Sequence, residues 1–223
     1  MRILVGAATI ATAVAASVAA SAGIAHAATG TTVAKVGNQL VITAAAGKAN
    51  DIFVRRAPAP FPPTILVRDR GDVLLPGAGC QSAGSEVACS AVGAFTVVVD
   101  AGDGNDRVVL DLPVSNATIN GGPGADTLRD ANNVTNDTIN GGDGDDHIFG
   151  AFAGFNRLFG DGGQDTIFGG DASDFIRGGT GNDTLAGRGG NDELRGDAGV
   201  DNLNGGDGFD DLCIGEVEVN CEA

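Results

Sequence analysis

The chain has 223 residues, including 37 glycines and 10 phenylalanines but no Trp or Tyr, and its formal net charge is −16 at pH 7. So acidic a surface repels nucleic acid and anionic membranes, and the missing Trp and Tyr remove the usual stacking platforms for sugars. Abundant glycine with few aromatics leaves little material for an ordinary globular core, and such a composition suits disorder unless regular spacing organises it.

The elements begin with an export signal. Arg2 precedes an uncharged, alanine-rich apolar run over residues 3–22, and Ala25-His26-Ala27 places small residues at −3 and −1 of a cleavage point. This pattern predicts a secretory signal peptide over residues 1–27 rather than a membrane anchor, and a secreted, extracellular protein. No membrane contact is expected once the signal is removed.

Residues 28–100 read as a β-strand-rich region or cap. Strands are expected over 32–36, 39–44, 51–56, 64–68 and 94–99, where β-branched and apolar residues run between Gly and Pro breaks. The Pro-rich stretch 57–63 is expected as a loop or extended segment. No linker precedes Ala101, so these strands either lead into the next region or cap it. The four cysteines, Cys80, Cys89, Cys213 and Cys221, all follow the signal. An even number in an exported chain suggests disulfides, and four cysteines allow three pairings. The two close pairs suggest Cys80–Cys89, around a polar Gly/Ser loop, and Cys213–Cys221.

From Gly160 to Cys213 six nonapeptides follow without a gap: GDGGQDTIF, GGDASDFIR, GGTGNDTLA, GRGGNDELR, GDAGVDNLN and GGDGFDDLC. Position 6 is always aspartate (Asp165, Asp174, Asp183, Asp192, Asp201, Asp210), and position 8 is always Ile or Leu. Upstream, GGDGDDHIF and GGPGADTLR supply Asp146 and Asp126, and AGDGNDRVV supplies Asp106. NNVTNDTIN keeps Asp137 without its glycines, LPVSNATIN has Ala117 at the aspartate position, and AFAGFNRLF has Asn156 there, which could still offer an oxygen. Phe152, Phe155 and Phe159 cluster at that break, as local core packing or an exposed contact patch.

The pattern G-G-x-G-x-D-x-U-x, with U a large apolar residue, resembles the RTX, or haemolysin-type, calcium-binding repeat family. The resemblance implies an all-β fold, a parallel β-roll or β-solenoid, that takes several Ca2+ ions as cofactors. The residues themselves support that chemistry. Glycine lets the first six positions turn sharply and present carbonyls, and the aspartate adds a carboxylate. Calcium takes six to eight oxygens, more than one turn supplies, so stacked turns would share an ion. The expected metal ligands are Asp106, Asp126, Asp137, Asp146, Asp165, Asp174, Asp183, Asp192, Asp201 and Asp210.

Positions 7 to 9 are expected as short strands, two nonapeptides making one coil of eighteen residues. Ile148, Ile167, Leu185 and Leu203 would then stack on one side of the core, and Leu158, Ile176, Leu194 and Leu212 on the other. One buried side chain contributes about 1.5–3 kcal/mol, too little to order nine residues at roughly 1–2 kcal/mol each. Residues 160–213 also hold twelve acidic residues against Arg177, Arg188 and Arg195. Calcium binding and folding are therefore expected to be coupled. The calcium-binding roll is expected over residues 101–213 and a disulfide-bracketed cap over 214–223.

A catalytic role finds no parts. His147 is the single histidine after the signal, and neither H-E-x-x-H nor G-x-S-x-G occurs. The expectation is a non-enzymatic calcium-binding protein with a structural or interaction role outside the cell. A non-catalytic surface adhesin, or an enzyme acting on polysaccharide through paired aspartates, stands as the alternative. A protein or cell-wall partner is left open. Many family members carry a C-terminal export signal, so an N-terminal one implies general secretion.

Overall fold

The computed structural model describes residues 30–58, 63–91, 95–114, 116–130, 136–208 and 211–221. The expected signal peptide, Asp210, Ala94 and the centre of the Pro-rich stretch lie outside them. Among the described residues every regular element is a strand. In chain order these are β1 (Thr31–Val36), β2 (Gln39–Thr43), β3 (Asp51–Arg56), β4 (Thr64–Asp69), β5 (Leu74–Pro76), β6 (Cys80–Ala83), β7 (Glu86–Ser90), β8 (Thr96–Asp100) and β9 (Arg107–Asp111). There follow β10 (Thr118–Asn120), β11 (Thr127–Asp130), β12 (Asp137–Asp143), β13 (His147–Phe149), β14 (Asn156–Gly162), β15 (Thr166–Phe168), β16 (Phe175–Thr180), β17 (Thr184–Gly189), β18 (Glu193–Ala198), β19 (Asn202–Asp207), β20 (Leu212–Ile214) and β21 (Val217–Val219).

From β8 onward the strands alternate between two sheets, because each glycine-rich turn reverses the chain. The first sheet has ten strands in the order β20-β18-β16-β14-β12-β10-β8-β2-β1-β5. The second has eleven, β21-β19-β17-β15-β13-β11-β9-β3-β4-β7-β6. From β8 onward every neighbour in both sheets is parallel. The result is a parallel β-solenoid of stacked coils. The strand-rich N-terminal region continues the same two sheets: β2 pairs in parallel with β8, and β3 with β9. Antiparallel strands close that end, with β1 on β2, β4 on β3, and β7 on β4.

The core is one continuous stack between the sheets, and it narrows along the chain. In the N-terminal coils each strand turns two apolar side chains inward, as Leu40 with Ile42, Ile52 with Val54, and Val108 with Leu110 do. From β10 to β19 there is one per strand. Ile148, Ile167, Leu185 and Leu203 lie in register on one side, as expected. Opposite them Leu158, Ile176 and Leu194 align, but the next member is Cys213 rather than Leu212. Leu212 is 47% exposed. Leu194 and Cys213 are nineteen positions apart rather than eighteen, and this one-residue shift of register turns Leu212 to the outer face.

Two other expectations change. The segment between Cys80 and Cys89 is not a loop: β6 and β7 form an antiparallel hairpin in which these cysteines are direct cross-strand partners, bridged with Cα atoms 4.2 Å apart. Cys213 and Cys221 form the second disulfide. The phenylalanines at the register break stay out of the core. Phe152 is 58% exposed, Arg157 lies over the Phe155 ring, and Phe159 meets Phe175 on the outer face of the first sheet.

Candidate functional site

The turns stack as closely as the strands do, and glycine is what allows it. Gly122 and Gly124 have φ of 110° and 145°, in the region that L side chains rarely adopt. A Cβ on Gly124 would lie 1.6 Å from the carbonyl oxygen of Gly104, its counterpart one coil upstream. The peptide units thus point along the stack, and Gly124 N–H donates in turn to the Asp143 carbonyl at 2.7 Å.

The position-6 aspartates form two columns, one beside each set of turns. In the long column each carboxylate Oδ1 accepts the backbone N–H of the aspartate one coil upstream. Asp106 N–H donates to Asp126 (2.7 Å), Asp126 to Asp146 (2.7 Å), Asp146 to Asp165 (2.8 Å), Asp165 to Asp183 (2.8 Å) and Asp183 to Asp201 (2.9 Å). In the opposite column Ala117 N–H donates to Asp137 (2.6 Å), Asn156 to Asp174 (2.7 Å), Asp174 to Asp192 (2.7 Å) and Asp192 to Asp211 (2.9 Å). Nine of the ten expected ligands therefore stand in the columns, including Asp106 and Asp137 from degraded repeats. Asp211 accepts the Asp192 N–H at the end of the opposite column, and Asp210, the tenth, lies outside the described residues.

The second carboxylate oxygen carries the functional signal. Oδ2 of Asp106, Asp126, Asp146, Asp165, Asp183, Asp192 and Asp201 is buried and has no hydrogen-bond partner among the described residues. Those of Asp126, Asp146, Asp165 and Asp192 are held near backbone oxygen instead. The point a Cβ on Gly121 would occupy lies 2.3 Å from Asp126 Oδ2 and 2.5 Å from the Gly141 carbonyl oxygen of the next coil. At Gly187 the corresponding distances are 2.1 Å to Asp192 Oδ2 and 2.5 Å to the Gly205 carbonyl oxygen. An unsatisfied buried carboxylate facing carbonyls is costly unless it meets a proton or a cation.

The protonation equilibria register that cost. Burial, the largest influence, pushes Asp146 and Asp192 up to about 7 and Asp126 and Asp165 up to about 6. It also raises Asp106, Asp174 and Asp183. The backbone N–H bonds act in the opposite direction and are outweighed, while neighbouring column carboxylates add to the rise in Asp126, Asp146, Asp165, Asp183 and Asp192.

Among the described residues no three His, Cys, Asp or Glu side chains converge as a ready cluster. A cation would depend on carboxylates from successive coils together with turn carbonyls. That donor set is all oxygen, which fits a hard ion with many ligands such as calcium and not a thiolate- or imidazole-seeking metal.

Several column members escaped the repeat pattern. Glu216 continues the long column past Asp201, its Oε2 accepting the Asp201 N–H at 3.1 Å. Asn50 precedes Asp106 in the same column and donates its N–H to it at 2.6 Å. Neither lies in a nonapeptide. Asn156 lies in one, yet it contributes differently than expected: its Nδ2, not its oxygen, faces the neighbouring carboxylate, at 2.8 Å from Asp174 Oδ1.

Comparison with protein-family models finds the RTX calcium-binding nonapeptide repeat in four copies, over residues 115–130, 134–153, 151–185 and 177–212. No curated protein and no solved structure matches the chain.

Proposed function

This chain carries RTX calcium-binding repeats through residues 115–212, and from that premise we propose an exported protein whose β-roll closes on calcium. The observation that carries the reading is the set of seven buried Oδ2 atoms without a hydrogen-bond partner among the described residues. The ligands are then Asp106, Asp126, Asp137, Asp146, Asp165, Asp174, Asp183, Asp192 and Asp201, with Asp211 in the place assigned by sequence to Asp210, each joined by turn carbonyls. Bound calcium supplies the positive charge that lets these oxygens stay ionised in a dry stack. Magnesium, which demands a tight octahedron and sheds water reluctantly, suits such a ladder poorly.

The narrowing core makes the roll the dependent part. Residues 28–100 bring paired inward side chains and a disulfide, whereas residues 101–213 come to rely on one apolar residue per strand, so binding free energy there is folding free energy. Two disulfides suit an oxidising exterior, in keeping with a cleaved signal over residues 1–27 and a cap over 214–223. The role is structural or interactive, outside the cell, and calcium is what switches the roll from open to closed.

The test is a calcium titration of the mature chain followed by far-UV circular dichroism and by hydrogen exchange, with magnesium as control. The expected result is a cooperative gain of β signal, with protection appearing in the coils after residue 112 and already present before it. A roll equally protected in excess chelator at pH 8 would sink the coupling.

A further inference from the structure

Two members of the columns are amides rather than carboxylates, and both aim Nδ2 at acceptors; their oxygens differ, Asn156 Oδ1 accepting the Ala151 N–H at 3.2 Å and Asn50 Oδ1 lying buried with no hydrogen-bond partner among the described residues. Asn50 stands one coil before Asp106, and Asn156 one coil before Asp174. Each donates its backbone N–H to the Oδ1 of that aspartate, at 2.6 and 2.7 Å. Each also turns Nδ2 toward the same oxygen, at 3.2 and 2.8 Å. Asn50 Nδ2 further donates to the carbonyls of Lys48 (3.2 Å) and Ala101 (3.0 Å). Asn156 Nδ2 does so to those of Gly154 (3.2 Å) and Ala151 (3.0 Å). In both residues the first of these carbonyls lies two positions upstream. All three partners of each amide are acceptors, so nitrogen and not oxygen belongs at this point.

At Asn156 that point is the one at which the aspartate coils place Oδ2. A Cβ on Gly187 would lie 2.1 Å from the unpartnered Asp192 Oδ2, and one on Gly169 2.5 Å from Asp174 Oδ2, which accepts the Gly170 N–H at 2.6 Å. A Cβ on Gly150, the structural counterpart of those glycines, would lie 3.1 Å from Asn156 Nδ2. Both asparagines are almost wholly buried, at 2% and 1% exposure. Where nitrogen occupies the place, its protons satisfy a carboxylate and two carbonyls. Where oxygen occupies it, the carbonyls and the next carboxylate face a further acceptor, and only a proton or a cation reconciles them.

We propose that the side-chain amides of Asn50 and Asn156 stand in for calcium in the two spaces they face. The inference rests on the calcium reading of the columns. Ions then fill the spaces between coils from Asp106 to Asp201 on one side of the roll, while on the other the column is interrupted at Asn156, with Asp137 before the break and Asp174 to Asp211 after it. The spaces Asn50–Asp106 and Asn156–Asp174 take none, because N–H dipoles already occupy them and one carboxylate is missing.

Replacing the amide by a carboxylate tests this on the full mature chain. Calcium-saturated Asn156→Asp should hold one ion more per chain than the wild type when bound calcium is counted by equilibrium dialysis and elemental analysis. Its calcium-free form should melt below the calcium-free wild type. Asn50→Asp should do the same from the other column. A folded variant with unchanged stoichiometry overturns the proposal. If neither variant folds, the wild type decides by NMR: the two side-chain NH2 groups should exchange with solvent on the order of a hundredfold more slowly than a free amide when calcium is bound. Exchange at the free rate overturns it. A wild type that binds no calcium sinks instead the calcium reading itself.

Discussion

Asp146 accepts the backbone N–H of Asp126, twenty residues upstream, through Oδ1 at 2.7 Å, while its Oδ2 is buried with no hydrogen-bond partner among the described residues. One side chain therefore does two jobs. It stitches adjacent coils, and it presents an oxygen that needs a positive partner. The split explains why an aspartate, with two oxygens on a short stem, recurs at this position.

The stitch can be measured separately from the ion. Asp146→Ala leaves the Asp126 N–H buried and unsatisfied, at a cost of about 1–3 kcal/mol, and removes a ligand as well. The calcium midpoint for folding should rise several-fold and the loaded protein should melt earlier. Asp143→Ala, at the exposed end of β12, should change stability by less than about 0.5 kcal/mol. Equal effects from the two variants, read by thermal unfolding in calcium, would contradict the assignment.

The pH dependence follows from carboxyls held near 6 to 7 in the folded roll against about 3.9 in the unfolded chain. The folded state without calcium holds more protons, so its stability is greatest below about pH 4 and falls as pH rises to about 7. In excess chelator, β structure should persist better at pH 5 than at pH 8. With calcium the sign reverses, because the ion displaces these protons. Affinity should climb between pH 5 and 7 and level off above, and calorimetry at pH 6 in buffers of different ionisation enthalpy should detect proton release.

Glycine substitutions should divide by location. Gly84 has φ +69° with open space around it, so Gly84→Ala should cost only about 1 kcal/mol of left-handed strain. Gly124→Ala would set a methyl group 1.6 Å from the Gly104 carbonyl oxygen, a backbone atom that cannot withdraw without parting two coils. It should cost about 3 kcal/mol or more and raise the calcium requirement, as chemical denaturation at fixed calcium would report.

The last coil relies on a covalent tie. Leu212, Ile214, Val217 and Val219 are all exposed there. Replacing Cys213 and Cys221 with serine should remove about 2 kcal/mol of local restraint. Faster hydrogen exchange over residues 212–219, with protection around Ile148 unchanged, is the expected signature.

The repeat determined by itself the alternation of turn and strand, the coil of two nonapeptides and the stacking of Ile148, Ile167, Leu185 and Leu203, because turn chemistry and a one-in-nine apolar position are local properties. It also pointed to nine of the buried column aspartates. What it left open turns on contacts between residues far apart in the chain. Asp211 takes the last place described in its column, and only the fold shows that its carboxylate reaches the Asp192 N–H. Leu212 faces solvent for the same reason, one added residue reversing a strand's faces. Asn50 lies fifty-six positions from the aspartate it serves, and no periodicity links them. Asn156 reads as a faded ligand in sequence, and only the ring of acceptors around its Nδ2 shows that it supplies protons where the other coils need an ion.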